Sequence, residues 1–236
     1  MEEVAISVLV SSLNPQGRES ARDTVYRALR HDILHLILKP GTKMSEQEVS
    51  ERFEVSRTPV REVFMCLMQD GLVEIYPQRG TYVSLINLEY LEEGRYVREL
   101  VETAVISEAA GRLSEDDLFR LETTLAAQEI SCRNKDYLRM LALDDHFHAT
   151  IFRACGRART WEAVSQLSHD FYRARVLRLS HDFNWDTIVR QHYAIFEGLR
   201  KGDKEQVARV VREHLRMAIM DRERLRKEFP DYFVQP

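Results

Sequence analysis

The 236-residue sequence holds 34 lysines and arginines against 38 aspartates and glutamates, and 44% of its residues are hydrophobic. This composition is typical of a soluble globular chain with one large domain or two modest ones. The net charge of −4 gives no support by itself for nucleic-acid binding. A DNA site in this chain would therefore depend on local positive charge.

No apolar run approaches the roughly 18 residues that a membrane span requires. The apolar stretch 4–10 follows two acids, whereas a signal peptide begins with basic residues. The three cysteines, Cys66, Cys132 and Cys155, are widely spaced and indicate neither a disulfide framework nor a cysteine-based zinc site. These features predict a cytoplasmic protein with no membrane partner.

The first part of the chain predicts an arm and a small DNA-binding domain. Residues 1–19 show no clear period and contain a turn signal, so we expect an N-terminal arm. Helical spacing of apolar residues predicts helices over 20–38, 45–53 and 57–69, with Ser45 and Glu48 forming a capping box. Two β-prone runs follow, at 72–76 and 81–86. Three helices and a hairpin over 20–86 predict a winged helix-turn-helix domain.

Beyond residue 86 the period is helical almost throughout. Breaks at Gly111, Asn134, Gly156, the HDFN run and Gly202 divide this region into segments. The predicted helices cover 88–111, 114–133, 136–155, 158–180, 185–200 and 203–228. The fold class is therefore mostly α, with an antiparallel bundle of about six helices over 87–236.

The third helix is predicted to present a basic face at its N-terminal end. Its apolar residues face inward, which leaves Arg57, Thr58 and Arg61 on the open side. Pro59 lies in the first turn, where its missing N–H costs little, and Ser56 is positioned to cap the helix. Helix N-terminal N–H groups and two arginines suit phosphates and guanine edges in a major groove.

A solvated surface helix is the simpler interpretation of Arg57 and Arg61 taken singly. Their position after a capped helix and before a hairpin favours DNA binding instead. Arg79 and Gly80 lie at the hairpin tip, where a wing reaches the DNA backbone or minor groove.

The segment from Ser45 to Gly80 resembles the GntR family of bacterial transcription regulators, through V-S-R-T-P-V-R-E, G-L-V and R-G. The resemblance implies that Ser56, Arg57, Thr58 and Arg61 contact bases and phosphates and that Arg79 and Gly80 form the wing contact. Two residues depart from the family pattern. Glu54 replaces a usual glycine, at a position that would favour positive φ. Gln47 stands where some members have arginine.

Four polar side chains are predicted to project into the core of the bundle from three helices. Asp144 and His148 share the apolar face of one helix, and His192 and His214 lie in the middle of the apolar stripes of two others. Each histidine alone is more often a satisfied core residue than a ligand. Together, three nitrogens and one oxygen favour Zn²⁺, Ni²⁺, Mn²⁺ or Fe²⁺. By the same test His169 falls on a polar face and is excluded, as are His146, opposite the apolar stripe of its helix, and His181, in a loop. His31 and His35 are excluded because they belong to the first domain.

The second domain resembles the FCD ligand-sensing domain of the FadR-type branch of the GntR family. The matching motifs are R-x-x-x-E at Arg98, D-x-x-x-H at Asp144, H-x-x-I/L at His192 and H-L at His214. The resemblance implies a divalent metal held by the aspartate and three histidines, with a small carboxylate effector completing its coordination. Gln191 replaces a usual glutamate.

Arg98 is the first candidate for the anionic end of an effector, because a guanidinium can bind a carboxylate through two hydrogen bonds. An ion pair with Glu102, four residues later, is the alternative. Tyr172 and Arg175 are further effector-binding candidates.

The sequence thus predicts a homodimeric, metal-containing transcription regulator that binds palindromic double-stranded operator DNA and responds to a small organic acid. Two alternatives stay open at this level. A metal-dependent enzyme would use the three-His/one-Asp site to activate water. A bundle that only dimerises would contain its histidines as structural residues.

Overall fold

The computed structural model describes residues 20–181, 185–217 and 220–235, so the predicted arm lies outside the described residues. The helices and strands in chain order are α1 (Ala21–Leu34), β1 (Lys43–Met44), α2 (Glu46–Phe53), α3 (Arg57–Gln69), β2 (Val73–Tyr76), β3 (Gly80–Val83), α4 (Leu88–Ala109), α5 (Glu115–Asn134), α6 (Tyr137–Ala154), α7 (Ala158–Leu167), α8 (His169–His181), α9 (Trp185–Lys201), α10 (Lys204–Met217) and α11 (Arg222–Glu228), followed by a 3-10 turn at Pro230–Tyr232. The predicted fold class, a winged helix-turn-helix followed by a helical bundle, is confirmed. Within the described ranges, no helix is long and apolar enough to cross a bilayer.

The first domain is a three-helix core closed by a small antiparallel sheet. β3 is the central strand, pairing with β2 from Val73 opposite Val83 to Tyr76 opposite Gly80. The two-residue strand β1 pairs on its other side. The pattern of alternating residues did not predict β1, because two residues are too few to show a period.

The helix starts of this domain differ in detail from the prediction. Ser45 Oγ accepts hydrogen bonds from the backbone N–H groups of Gln47 and Glu48, as an N-cap does. The reciprocal bond from Glu48, which a capping box needs, is not among those of this N-cap. Ser56 occupies the N-cap position of α3, but its side chain makes no capping hydrogen bond, which corrects the expectation for that residue.

The bundle contains more helical segments than the six predicted, because two of the predicted helices are divided. The segment 158–180 breaks at Ser168, whose φ of −114° and ψ of 26° lie outside the helical region. α10 ends at Met217 and the next helix begins at Arg222, which divides the predicted helix 203–228. Neither break contains a glycine or a proline, so composition gave no signal for it.

The junction between the domains is fixed by helix α8 and by the C-terminal tail. Arg173 donates hydrogen bonds to the carbonyl oxygens of Ser84 (2.7 Å) and Leu85 (3.3 Å). Ile86 forms a parallel bridge with Phe233, which is fully buried. The segment that joins the domains is therefore held from two directions.

Glu54, at the end of α2, has φ 54° and ψ 39°, a left-handed conformation that glycine adopts more easily. We predict that Glu54→Gly raises the free energy of unfolding by about 0.5–1 kcal/mol, measured by urea denaturation. Glu51→Gly, inside the same helix, is the matched control and should lower it by about 1 kcal/mol. Loss of stability in both variants would contradict a strained backbone at Glu54.

Candidate metal centre and DNA-reading surface

The four residues of the predicted metal site converge in the core of the bundle. Asp144 and His148 come from α6, His192 from α9 and His214 from α10. One ligand atom from each lies within 4.8 Å of the others. All four side chains are buried, because each lies on the apolar face of its helix.

Two of the histidines are oriented by glutamine side chains, a role that the sequence analysis gave to neither glutamine. Gln128 donates through Nε2 to the carbonyl oxygen of Leu143, so its Oε1 faces Nδ1 of His192 at 2.8 Å. Gln191 Oε1 lies 3.1 Å from Nδ1 of His214. An oxygen acceptor at Nδ1 requires the proton there and leaves a lone pair on Nε2. The two Nε2 atoms lie 3.5 Å (His192) and 3.9 Å (His214) from Asp144 Oδ1.

The third histidine is oriented by a carboxylate. Nδ1 of His148 lies 2.7 Å from Oε2 of the fully buried Glu102. The other Glu102 oxygen accepts from Arg98 Nε at 2.5 Å, so the predicted alternative ion pair is present. Although burial alone would raise it, Arg98 and His148 lower the pKa of Glu102 to about 2. Among the described residues, Nε2 of His148 and Nε2 of His192 are buried without a hydrogen-bond partner, and the short contact of His148 Nδ1 with Glu102 Oε2 is an ion-pair distance without hydrogen-bond alignment.

Arg175 compensates the buried charge of Asp144. It binds Asp144 Oδ2 directly and lies 3.3 Å from Asp145. Burial would raise the pKa of Asp144, but Arg175 and then the imidazoles hold it well below its usual range. Burial lowers the pKa of His192 strongly and that of His214 to about 3. His192 and His214 therefore present neutral nitrogens beside an ionised oxygen of Asp144, which is the state that binds a metal.

The three predicted effector-binding residues lie on two different cavities. Arg98 and Arg175 line a narrow cavity of about 10 Å³ beside Asp144 and His214. A cavity of this volume holds about one water molecule. Tyr172 instead lines a larger cavity between the domains, and Arg98 reaches this one as well.

The predicted DNA-binding residues lie on an exposed surface at the start of α3. Ser56, Arg57, Thr58 and Arg61 are all exposed. Both arginines have partners on α2, since Arg57 donates to Gln47 Oε1 at 3.2 Å and Arg61 pairs with Glu46 at 2.8 Å. Exposed contacts of this kind contribute little to stability, so DNA can replace them at a small cost in free energy.

The wing is the turn between β2 and β3. Arg79 is exposed there, with its guanidinium 5.9 Å from the ring centre of Tyr76. Gly80 has φ 114°, which favours glycine over other residues. Both predicted wing residues are therefore placed where an approaching duplex could meet them.

The position of His169 differs from the sequence prediction. It is buried between the domains, with Nε2 3.0 Å from Arg30 and Nδ1 3.1 Å from the carbonyl oxygen of Asp70. The prediction extended one helix through Ser168, and the break there changes the face on which His169 lies. His35, which the sequence analysis also excluded from the metal site, forms a hydrogen bond with Tyr172. Its Nε2 lies 3.0 Å from the Tyr172 hydroxyl oxygen.

Comparison with protein families gives two matches that together cover most of the chain. Residues 21–83 match the model described as bacterial regulatory proteins, gntR family. Residues 95–217 match the FCD domain.

Individual proteins are similar over nearly the full length. The HTH-type transcriptional repressor RspR of Escherichia coli K12 is 35% identical over 225 residues, covering 95% of this chain and 98% of that protein. The galactonate operon transcriptional repressor of the same strain is 26% identical over 204 residues, covering 77% of this chain and 87% of that protein. Among solved structures, E. coli McbR/YncC has a TM-score of 0.76 at 20% identity, covering 90% of this chain and all of that one. A GntR transcriptional regulator from Rhodococcus sp. RHA1 has a TM-score of 0.68 at 22% identity, covering 85% of this chain and 96% of that one.

The buried pair of Arg175 and Asp144 predicts a large loss of stability when the cation is removed. In metal-free protein, Arg175→Met leaves Asp144 buried and uncompensated, so the free energy of unfolding should fall by about 3–5 kcal/mol in urea denaturation. Arg178→Met is the control on the same helix, because its partner Asp221 is 30% exposed and can be hydrated. Equal losses in the two variants would show that Arg175 does not compensate Asp144.

Proposed function

Because the chain belongs to the GntR family of bacterial regulatory proteins and carries an FCD domain, it is a DNA-binding transcriptional regulator, and we propose that a metal and a small organic acid control it. The family and the similar proteins are regulators, so the metalloenzyme alternative is set aside. Two similar proteins are named repressors, and we propose repression here also.

The proposed ligands of the metal are Asp144, His148, His192 and His214. The observation that carries this proposal is the shared orientation of the three imidazoles. Each has Nδ1 close to a side-chain oxygen, and Nε2 of His192 and Nε2 of His214 face Asp144 Oδ1. Such outer acceptors orient histidine ligands and raise their basicity in metal sites. The donor set suits Zn²⁺ first and Ni²⁺, Mn²⁺ or Fe²⁺ as alternatives.

The effector is proposed to be a small carboxylate that binds beside the metal. Arg98 and Arg175 both face the narrow cavity at Asp144, where a guanidinium can bind a carboxylate. That cavity holds about one water molecule, so an effector must widen it on entry. Arg175 would then exchange part of its contact with Asp144 for the effector. Tyr172, the third candidate, would act from the cavity between the domains.

Helix α8 is the proposed link between the effector and the DNA-binding domain. Arg175 on this helix contacts Asp144, while Arg173 and Tyr172 contact the junction and His35 of the first domain. A displacement of α8 would change its contact with Asp144 and its contacts with the first domain. The change in DNA affinity is limited by the difference in effector affinity between the two states.

The DNA contacts are assigned to Ser56, Arg57, Thr58 and Arg61 on α3 and to Arg79 and Gly80 in the wing. We propose that two copies of the chain bind a palindromic operator, because a two-fold symmetric protein matches a two-fold symmetric site. Arg57 and Arg61 would leave their α2 partners for phosphates and base edges.

Metal content tests the metal proposal directly. Elemental analysis of gently purified full-length protein should find about one divalent transition metal per chain. His214→Ala and Asp144→Asn should lower that content strongly, and Gln128→Leu should weaken metal affinity by about 10- to 100-fold through loss of the His192 partner. His146→Ala, on the exposed side of α6, is the control. A protein without metal, or one whose metal is lost equally in the control, would favour structural histidines.

DNA binding is tested at the start of α3. Arg57→Ala should weaken specific binding to promoter DNA from the protein's own locus by about 1–3 kcal/mol in fluorescence anisotropy, because a charged base or phosphate contact is lost. Lys201→Ala removes the same charge from the exposed end of α9 and should leave affinity nearly unchanged. Unchanged affinity for Arg57→Ala would place the reading surface elsewhere.

A further inference from the structure

A cavity lies between the two domains and is separate from the narrow one at the metal cluster. Residues of α1 form one wall, and residues of α4, α6, α7 and α8 form the others. Its volume is about 290 Å³, whereas that of the cavity beside Asp144 is about 10 Å³. A cavity needs about 10–15 Å³ to hold one water molecule, so the larger cavity has room for an organic molecule.

The charges that line this cavity are mainly positive. The basic residues are Arg27, Arg30, His31, His35, Arg98 and His169. Asp145 is an acid on the same lining, and it lies 3.3 Å from Arg175. The lining therefore holds three guanidinium groups, one of which, Arg98, is paired with Glu102, and one carboxylate, which is paired with Arg175.

At the domain interface, and among the residues that the structure describes, Arg30 contacts the ring of His169 and forms no ion pair. Nε2 of His169 accepts from Arg30, because Nδ1 uses its proton for the carbonyl oxygen of Asp70. Burial and then the charge of Arg30 lower the pKa of His169. The partner of Arg30 here is thus a neutral imidazole, whereas an anion would bind this guanidinium more strongly.

Flat side chains accompany these cations. Trp161 and Tyr172 line the cavity, and Arg98 holds its guanidinium 5.2 Å from the ring centre of Trp161. The His31 and His35 rings stack with centroids 4.0 Å apart on the opposite wall. Such walls accept the flat or ring-shaped part of a ligand, while the arginines accept its charged groups.

We propose that this interdomain cavity is a binding site for a small organic dianion, a dicarboxylate or a sugar phosphate. The ligand contacts α1 of the DNA-binding domain through Arg30 and the bundle through Arg98. It therefore adds charged contacts between the two domains at a point where Arg30 now contacts a neutral imidazole. This site requires no metal, because the four residues of the metal cluster lie outside its lining.

Calorimetric titration of the full-length protein tests the site with three probes: phthalate, succinate and glucose 6-phosphate. At least one should bind at about one site per chain, and neutral phthalamide and glucose should not. Arg30→Gln should weaken that binding about tenfold or more, through loss of a charged contact. Arg22→Gln, on α1 but outside the lining, should change it less than about twofold, as expected for a distant exposed charge.

Two further measurements separate this site from the metal and from changes in folding. Ser165→Phe leaves every cation in place and fills part of the cavity, so it should also weaken binding if the ligand lies there. Treatment with a chelator should leave binding intact. Absence of binding by all three probes, equal weakening by Arg22→Gln, full binding by Ser165→Phe or loss of binding with the metal would each overturn the proposal. The last of these would place the anion at the metal cluster instead.

Discussion

The buried carboxylate of Asp144 is the constraint around which the bundle is arranged. A charge removed from water costs several kcal/mol unless a partner of opposite sign accompanies it. Arg175 supplies that partner from α8, and the neutral imidazoles of His192 and His214 supply lone pairs from α9 and α10. Four helices must therefore keep their relative positions for this one group to stay ionised. A bound cation would add to the same compensation, so its affinity would depend on the geometry of the bundle.

Helix α8 contacts both the buried cluster and the DNA-binding domain. Arg175 faces the cluster, while Tyr172 and Arg173, three and two residues earlier, contact the other domain. One turn of helix thus contacts both regions. Rigid helices transmit small shifts as whole-body movements, because close-packed cores do not deform gradually. The short break at Ser168 leaves α8 a separate rod from α7.

The sequence predicted the features that follow from the helical spacing of apolar residues. The winged domain followed from helix periods and turn residues, and Asp144, His148, His192 and His214 were brought together because each lies on an apolar stripe. Gln128 was missed, since an inward glutamine has no spacing that distinguishes it from surface glutamines. His169 was misplaced because the break before it contains neither glycine nor proline. The cavity between the domains depends on how two folded units meet, which no local period encodes.

The parallel bridge between Ile86 and Phe233 has a consequence for the order of assembly. Ile86 N–H donates to Tyr232, and Val234 N–H donates back to Ile86, so the interdomain segment shares its backbone with residues from the far end of the bundle. During synthesis the winged domain, which has its own hydrophobic core, emerges first. The contacts of Arg173 with the interdomain segment become possible once α8 has been made, but the backbone bonds of residue 86 must wait for residues 232–234. The junction is therefore completed last, by a segment that follows every helix of the bundle in the chain.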